Sequence, residues 1–256
     1  MQNINRRKFV KATATVGAFS ALSYSRVIGA NDRINVAVIG VRGRGRSHIE
    51  AFDAIDGVNV TALCDVDKNV LEKQAIKFGK PVKKYTDFKK LMESKEIDVI
   101  SIATTDHWHV PLTAHAVLAG KHVYVEKPLS HTIQEGRYIV DLVKKEKKIV
   151  QHGTQSRSRK SFQNAVEYLN SGKLGKVRMA KAINHQLRKP IGIEPDAPVP
   201  EGVDYDTWLG PAPVRPFSKN RFHYNWHWFW DYGSGDMGND GIHQIDIARW
   251  GLGVGF

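Results

Sequence analysis

Apolar and polar positions alternate with two different periods along the first part of the chain. Short runs rich in Val and Ile, over residues 34–39 and 58–64, are typical of buried parallel strands. Between these two runs, Ile49, Phe52 and Ile55 have the spacing of one face of a helix. The pattern therefore predicts a strand, a helix and a second strand, in that order.

The same alternation continues to about residue 152. It predicts helices over residues 69–78, 87–93, 110–119 and 133–145, and extended segments over residues 81–85, 99–103, 123–125 and 149–152. Strands that alternate with helices of about ten residues form an α/β fold with a doubly wound parallel sheet. We therefore expect such a sheet to fill residues 31–155.

A glycine-rich turn follows the first strand, and Asp65 ends the second. The turn consists of Gly40, Val41, Arg42, Gly43, Arg44 and Gly45. A strand, glycine turn, helix, strand and acid in this order predict a dinucleotide-binding unit of the Rossmann type. In such a unit the turn and the helix N-terminus face a pyrophosphate, and the acid binds the adenine ribose.

The glycine pattern departs from G-x-G-x-x-G in one place, because Arg42 stands where the middle glycine belongs and Gly43 follows it. A glycine-rich turn that binds nothing is the alternative. Asp65 favours NAD over NADP, since a carboxylate accepts hydrogen bonds from a free 2′-hydroxyl and repels a 2′-phosphate.

Residues 1–30 have the pattern of an export signal. Arg6 and Arg7 form a twin-arginine pair, a mildly apolar run follows to about Tyr24, and small residues end at Ala30. This pattern predicts a Tat signal peptide, with a basic amphipathic helix as the alternative. It implies a periplasmic protein that meets the Tat machinery already folded around a tightly held cofactor. We expect no membrane span after the signal.

Composition fits an ordinary globular chain of 256 residues, 41% of them hydrophobic and 25% charged. Part of the net charge of +12 comes from the basic export signal. The basic run over residues 144–148 lacks an aromatic recognition motif, so we predict no nucleic-acid binding. Cys64 is the single cysteine, which excludes an internal disulfide. No metal site is predicted, because the histidines share no ligand spacing with carboxylates.

Polar stretches follow three of the predicted strands. They are residues 104–109, 126–130 and 153–155. In an open parallel sheet the ligand lies beyond the carboxyl ends of the strands, where these stretches meet.

The motifs VAVIG…GRG, TTDHWH, VYVEKPLS, QHGTQSRS and GIHQID, in this order, resemble the Gfo/Idh/MocA family of NAD(P)-dependent oxidoreductases. The resemblance runs from about Arg33 to the last residue and is strongest to exported, twin-arginine members. It implies an NAD-binding Rossmann domain over residues 31–155, followed by an α+β domain with an antiparallel sheet. Residues 156–256 would form part of that second, substrate-binding domain.

The resemblance also implies an active site. Lys127 would lie beside the nicotinamide and the reacting hydroxyl, and would stabilise charge that develops on the oxygen. The peptide bond before Pro128 would be cis. The nicotinamide and ribose side would be lined by Thr104, Thr105, His107 and Glu126. His109 is expected to be an ordinary loop residue, and an exposed turn lysine is the alternative for Lys127.

The second implied catalytic element departs from the family's D-x-G-x-H pattern. His243 matches, but Asn239 occupies the acid's position and Asp240 lies one place later. His243 would therefore act as general acid/base alone, or Asp240 would turn in to help. The departure also leaves open a redox-neutral variant, in which a sugar hydroxyl is oxidised transiently and a glycoside bond is cleaved. A buried core position is the alternative for His243.

The rest of the second domain is less regular. We expect an amphipathic helix within residues 153–175, a strand over residues 177–183 and an irregular excursion over residues 190–216. The aromatic residues 222–232 suit either a sugar-binding surface or an alternating core strand.

The expected function is hydride transfer between a sugar or polyol hydroxyl and tightly bound NAD, with a homo-oligomer possible. Family members continue beyond the position of Phe256, so we also expect an incomplete sheet and reduced stability. A catalytically inactive NAD-binding fragment is therefore the remaining alternative.

Overall fold

A computed structural model describes residues 33–254, which begin with a six-stranded parallel sheet. The strands are β1 (Ile34–Ile39), β2 (Val58–Cys64), β3 (Lys83–Tyr85), β4 (Val99–Ile102), β5 (His122–Val125) and β6 (Val150–His152). Their order across the sheet is β3-β2-β1-β4-β5-β6, and each neighbouring pair is parallel. The fold prediction is thereby confirmed for this part of the chain. The predicted Tat signal lies outside the described residues.

Helices cover both faces of the sheet. They are α1 (Gly43–Asp53), α2 (Lys68–Phe78), α3 (Phe88–Met92), α4 (Asp106–Leu118) and α5 (Ile133–Glu146). The predicted boundaries agree closely, except that α4 begins at Asp106 rather than at residue 110. Within residues 33–254, no helix combines the length and the apolar character that a membrane span requires.

The sheet buries apolar side chains on both faces. Successive residues of β1 point to opposite sides, so Ala37 and Ile39 join one core cluster while Val36 and Val38 join the other. Burial on both sides explains why β1 reads as a continuous apolar run rather than an alternating one. The first three strands are added toward one edge of the sheet and the last three toward the other edge, so the strand order reverses between β1 and β4. A crevice opens there, at the carboxyl ends of these two parallel strands.

The second part of the described chain contains helices and turns. Its elements are a 3₁₀ turn (Gln155–Ser158), α6 (Lys160–Asn170), α7 (Tyr205–Leu209), 3₁₀ turns at Lys219–Arg221 and Asn225–Trp228, a π-helical turn (Met237–Gly241) and α8 (Ile242–Leu252). The predicted strand over residues 177–183 is wrong for this structure. Among the described residues this segment has no strand to pair with, and Met179 and Ile183 are exposed.

An aromatic cluster replaces the expected sheet as the core of this second part. Its buried members are Tyr205, Trp208, Phe217, Phe222 and Tyr232, together with Leu209. Ring centroids of Trp208 and Tyr232 lie 4.7 Å apart, and those of Trp208 and Phe222 lie 5.3 Å apart. The alternating pattern of residues 226–230 therefore does not form a strand, because a 3₁₀ turn starts at Asn225.

The aromatic cluster docks on the first turn of α4. The indole Nε1 of Trp108 donates to the carbonyl oxygen of Trp208 at 3.0 Å. The hydroxyl of Ser234 donates to the carboxylate of Asp106 at 2.6 Å. A second attachment lies at the start of α2, where the Lys68 N–H donates to the carbonyl oxygen of Gly202 at 2.8 Å. The second part therefore sits over the carboxyl edge of the sheet.

Candidate cofactor and active site

A cavity of about 580 Å³ lies between the carboxyl edge of the sheet and the second part of the chain. Of the predicted site residues, it is lined by Gly40, Arg42, Gly43, Arg44, Asp65, Thr104, Thr105, Glu126, Lys127 and Asn239. Residues from the second part close the other side. The structure thus places the glycine turn, Asp65 and the turn that carries Lys127 around one cavity.

Close packing explains the glycines of the turn. Gly40 has a φ of +78°, and a Cβ there would lie 2.5 Å from the carbonyl oxygen of Ala103. A Cβ on Gly45 would overlap the carbonyl oxygen of Gly40. Gly45 and Val41 are buried and support the turn rather than line the cavity. No side chain caps the N-terminus of α1, so N–H groups at the start of the helix can face an anion, apart from that of Gly45, which donates to the Arg42 carbonyl oxygen.

Asp65 is held by two backbone donors. Its carboxylate accepts the Val41 N–H at 2.9 Å and the Asp67 N–H at 3.0 Å. Burial raises the pKa of Asp65 to about 6, although these hydrogen bonds and the charge of Arg42 act in the opposite direction. Each oxygen keeps a further lone pair for a ribose hydroxyl. The turn, the uncapped helix and this acid fit a dinucleotide.

Asp65→Asn is expected to raise the affinity for NADP relative to NAD by about 10- to 100-fold, because it removes a like charge that opposes a 2′-phosphate. Fluorescence titration of both nucleotides measures the ratio. Asp141→Asn, on the exposed side of α5, is the matched control. An unchanged ratio would place the 2′ position away from Asp65.

Lys127 points into the cavity and contacts the π-helical turn. Its Nζ donates to the backbone oxygen and to the side-chain Oδ1 of Asn239, both at 2.7 Å. Burial lowers the pKa of Lys127, whereas the charges of Glu126 and Asp106 act to raise it. The Lys127–Pro128 peptide bond is cis, as the resemblance implies. The lysine is therefore partly desolvated and its nearest polar partner is neutral.

The positions of the two α4 histidines correct the prediction. His107 is buried behind the cavity wall, with Nε2 3.1 Å from the carbonyl oxygen of Leu209. His109 lines the cavity instead, and its Nδ1 lies 2.6 Å from the carbonyl oxygen of Pro128. Both residues belong to the first turn of α4. They face different neighbours because a helix has 3.6 residues per turn, so positions two apart lie on nearly opposite sides. Reading this stretch as a loop concealed the difference.

A buried polar network that the sequence did not reveal holds Glu126. Its Oε1 accepts from Arg44 Nε at 2.9 Å and lies 3.0 Å from His48 Nε2. His48 Nδ1 lies 2.8 Å from the hydroxyl of Ser101 on β4. Burial alone would raise the pKa of Glu126, but the hydrogen bonds from His48 and Arg44 lower it to about 2. A fixed negative charge therefore sits next to Lys127.

Asp240 does not turn toward the cavity. Its carboxylate accepts from Gln186 Nε2 at 2.7 Å and from Arg188 Nη2 at 2.6 Å. Arg188 also binds Asp236, so the segment around residue 188 is tied to the π-helical turn. Asp240 thus anchors this segment, and Asn239 is the residue that reaches Lys127.

His243 lies on the wall of a neighbouring cavity of about 540 Å³, which shares Gln155 with the first. Its Nδ1 is buried and has no hydrogen-bond partner among the described residues. Burial lowers the pKa of His243, and the positive charge of Lys127 adds to this effect. The structure therefore brings Lys127 and Asn239 together but places His243 one turn farther along.

Buried histidines predict loss of stability in mild acid. Burial lowers the pKa of His107 and of His152 to about 4, from an ordinary pKa of 6.5. As the pH falls, these histidines therefore bind protons at a higher pH in the unfolded chain than in the folded chain. The stability present above pH 6.5 is lost as the pH falls toward 4. Asp65, with its pKa raised to about 6, binds its proton in the folded state and offsets part of this loss.

We expect the free energy of unfolding to fall by about 2 kcal/mol between pH 7 and pH 5. Urea unfolding at the two pH values measures it. His152→Gln should remove much of the difference, whereas His115→Gln, at an exposed position, should not. Equal stability at both pH values would contradict the role of the buried histidines.

Comparison with known proteins decides the family. Residues 34–154 match the GFO_IDH_MocA model, an oxidoreductase family with an NAD-binding Rossmann fold. Residues 185–254 match the model of its C-terminal alpha/beta domain. The chain belongs to the Gfo/Idh/MocA oxidoreductase family. The predicted family, fold class and cofactor are thereby confirmed, and residues 34–154 form an NAD-binding Rossmann domain.

Curated relatives of this Gfo/Idh/MocA chain carry a glycosidase name. Glycosyl hydrolase family 109 protein 2 from Shewanella sp. (strain ANA-3) is 32% identical over 169 residues, which are 55% of this chain and 37% of the relative. A glycosyl hydrolase family 109 protein from Shewanella pealeana is 36% identical over 132 residues, 48% of this chain and 28% of the relative. The chain thus spans less than two fifths of their length.

Solved structures of similar fold include dehydrogenases. Myo-inositol 2-dehydrogenase from Lactobacillus plantarum is 29% identical, with a TM-score of 0.53 over 57% of this chain and 43% of that one. GenD2 from gentamicin A biosynthesis, in complex with NAD, is 21% identical, with a TM-score of 0.62 over 87% of this chain and 54% of that one. The second similarity shows the fold across both parts of the chain.

Proposed function

We propose that this Gfo/Idh/MocA chain takes part in hydride transfer between NAD and a hydroxyl-bearing carbon of a sugar or polyol. The observation that carries the proposal is the partly desolvated Lys127 ammonium, which projects into the same cavity as the glycine turn. Bound NAD supplies the hydride acceptor. Lys127 would donate a hydrogen bond to the reacting oxygen and stabilise the charge that develops there.

Two features support a carbohydrate substrate. The cavity wall opposite the sheet carries Tyr224, Trp226 and His227, and flat rings pack well against sugar faces. The fold neighbour at 29% identity is named as an inositol dehydrogenase, and inositol is a polyol.

Glu126, held ionised, would keep the turn that carries Lys127 in place.

Release of nucleotide on denaturation is the first test. Protein purified without added nucleotide is expected to yield NAD by chromatography and mass, and inositols and sugars from a panel should then produce NADH fluorescence. Bound NAD without turnover of any polyol would contradict the oxidoreductase proposal and favour the inactive NAD-binding fragment. Failure to bind added NAD would contradict the NAD site itself.

Redox-neutral glycoside cleavage is the second candidate. It is favoured by Asn239, which gives Lys127 an amide partner in place of a carboxylate, and by the names of the curated relatives. In this reaction hydride leaves the sugar and later returns to it. Release of nitrophenol from p-nitrophenyl glycosides with no net NADH would support it, and strict production of one NADH per product would exclude it.

Asn239→Asp is expected to move the alkaline limb of the activity profile up by about one pH unit, because a carboxylate beside Nζ raises the pKa of Lys127. The pH dependence of kcat/KM measures this. Gln186→Glu, which adds a carboxylate near Asp240 instead, is the control. An unmoved limb would show that Lys127 does not set the profile.

Export to the periplasm is proposed from residues 1–30 alone. Replacing Arg6 and Arg7 by Lys should retain the protein in the cytoplasm, because Tat signals depend on the arginine pair. Cell fractionation measures the distribution. Equal periplasmic amounts of the two forms would contradict Tat export.

A further inference from the structure

His223 brings an unpaired imidazole from the second part of the chain to the cofactor cavity. It lines the cavity together with Arg42, Asp65 and Asp67 of the Rossmann domain. His223 is an exposed residue, and its ring makes no hydrogen bond with any described residue. Its nitrogens are therefore available to a ligand that occupies this space.

The backbone at His223 is held in an uncommon conformation. Its φ is +56°, a region that residues other than glycine adopt rarely. Phe222 before it is 5% exposed, and its ring centroid lies 5.3 Å from those of Trp208 and Phe217. The imidazole itself lies against the Phe222 ring, at a centroid distance of 4.2 Å. The aromatic cluster therefore fixes where the imidazole stands, as is common at binding sites.

One cationic side chain, without a partner for its charged group in the described part of the chain, lies near this position. The guanidinium of Arg42, at the N-terminus of α1, has no hydrogen bond or ion pair with any described residue, whereas the Arg42 carbonyl oxygen accepts the Gly45 N–H at 2.9 Å. Burial lowers the pKa of His223, and the positive charge of Arg42 lowers it further while Asp67 acts in the opposite direction. The side chains of His223 and Arg42 are therefore close enough to interact electrostatically.

The nearby carboxylates do not satisfy these two groups. The Asp67 carboxylate accepts the N–H groups of Asn69 and Val70 at the start of α2. Asp65 accepts those of Val41 and Asp67. The guanidinium of Arg42 and an imidazole N–H of His223 are thus left as donors for an anionic group beside the uncapped helix.

We infer that His223 is a cofactor-binding residue that contacts a phosphate of the dinucleotide from the second domain, opposite Arg42. This inference rests on the NAD site and is independent of the reaction. It means that the dinucleotide is held from both sides, so that docking of the aromatic cluster strengthens cofactor binding.

Calorimetric titration of His223→Ala with adenosine and with ADP-ribose tests the inference. The affinity for ADP-ribose is expected to fall about tenfold, the usual effect of losing one charge-assisted hydrogen bond, while that for adenosine stays the same. His223→Asn should show the same selective loss, because asparagine tolerates a positive φ but lacks the imidazole. His185→Ala, at an exposed histidine of the same domain, is the matched control.

Equal losses for adenosine and ADP-ribose would overturn the inference, since a phosphate contact cannot weaken a ligand that has no phosphate. Unchanged ADP-ribose affinity in both His223 variants would overturn it too. Either result with normal NADH formation would leave the proposed function intact. Failure of the unsubstituted protein to bind ADP-ribose would overturn the inference and the proposed function together.

Discussion

Replacing Lys127 by alanine is expected to lower turnover about 10²- to 10³-fold, the usual effect of removing one donor that stabilises a developing oxyanion. NAD affinity should stay nearly unchanged, because the glycine turn and Asp65 are separate from the ammonium group. Steady-state NADH fluorescence with the best polyol of the panel measures turnover, and NAD titration measures binding. Lys84→Ala, an exposed lysine on β3, is the matched control.

Lys127→Arg separates an electrostatic role of the ammonium group from a role in proton exchange. Arginine keeps the positive charge but does not release a proton in proteins, so partial turnover would indicate a purely electrostatic role. Loss equal to that of the alanine variant would indicate that proton exchange matters as well. Full turnover of Lys127→Ala would contradict its placement in the active site.

Trp208→Ala is expected to lower the free energy of unfolding by about 3–5 kcal/mol, the range for truncating a buried tryptophan. The ring is 8% exposed and packs on Tyr205, Phe222 and Tyr232. The substitution removes the centre of the aromatic cluster, and no strand among the described residues supports that cluster. Urea unfolding followed by circular dichroism measures the change.

Trp230→Ala is the control for this experiment, since its side chain is 79% exposed. It should change stability by no more than about 0.5 kcal/mol. Similar effects of the two substitutions would show that the cluster does not contribute as the structure indicates.

The Rossmann half was predictable because its signals are local. A strand buried on both faces reads as an apolar run, and a turn with no room for a Cβ reads as glycine. The positions of Gly40, Asp65 and Lys127 followed from these signals and from the rule that ligands bind at the carboxyl edge. Helix α4 was the exception, since its polar first turn is buried only by contacts made elsewhere in the chain.

The second half was not predictable in the same way. An alternating segment such as residues 177–183 becomes a strand only if another strand lies beside it, and sequence spacing does not state this. The network of His48, Ser101 and Glu126 joins three elements and has no motif. Asn239 was recognised as a departure, but its contact with Lys127 depends on the π-helical turn.

The docking of the aromatic cluster on α4 sets an order of events during folding. His107 bonds to backbone atoms that lie 102 and 125 positions farther along the chain. Contacts of such separation form late, and an N-terminal domain can fold while the rest of the chain is still being synthesised. The Rossmann domain is therefore expected to fold before the aromatic cluster docks on it. Since five of the six tryptophans lie beyond residue 205, refolding followed by tryptophan fluorescence reports mainly the second, slower stage.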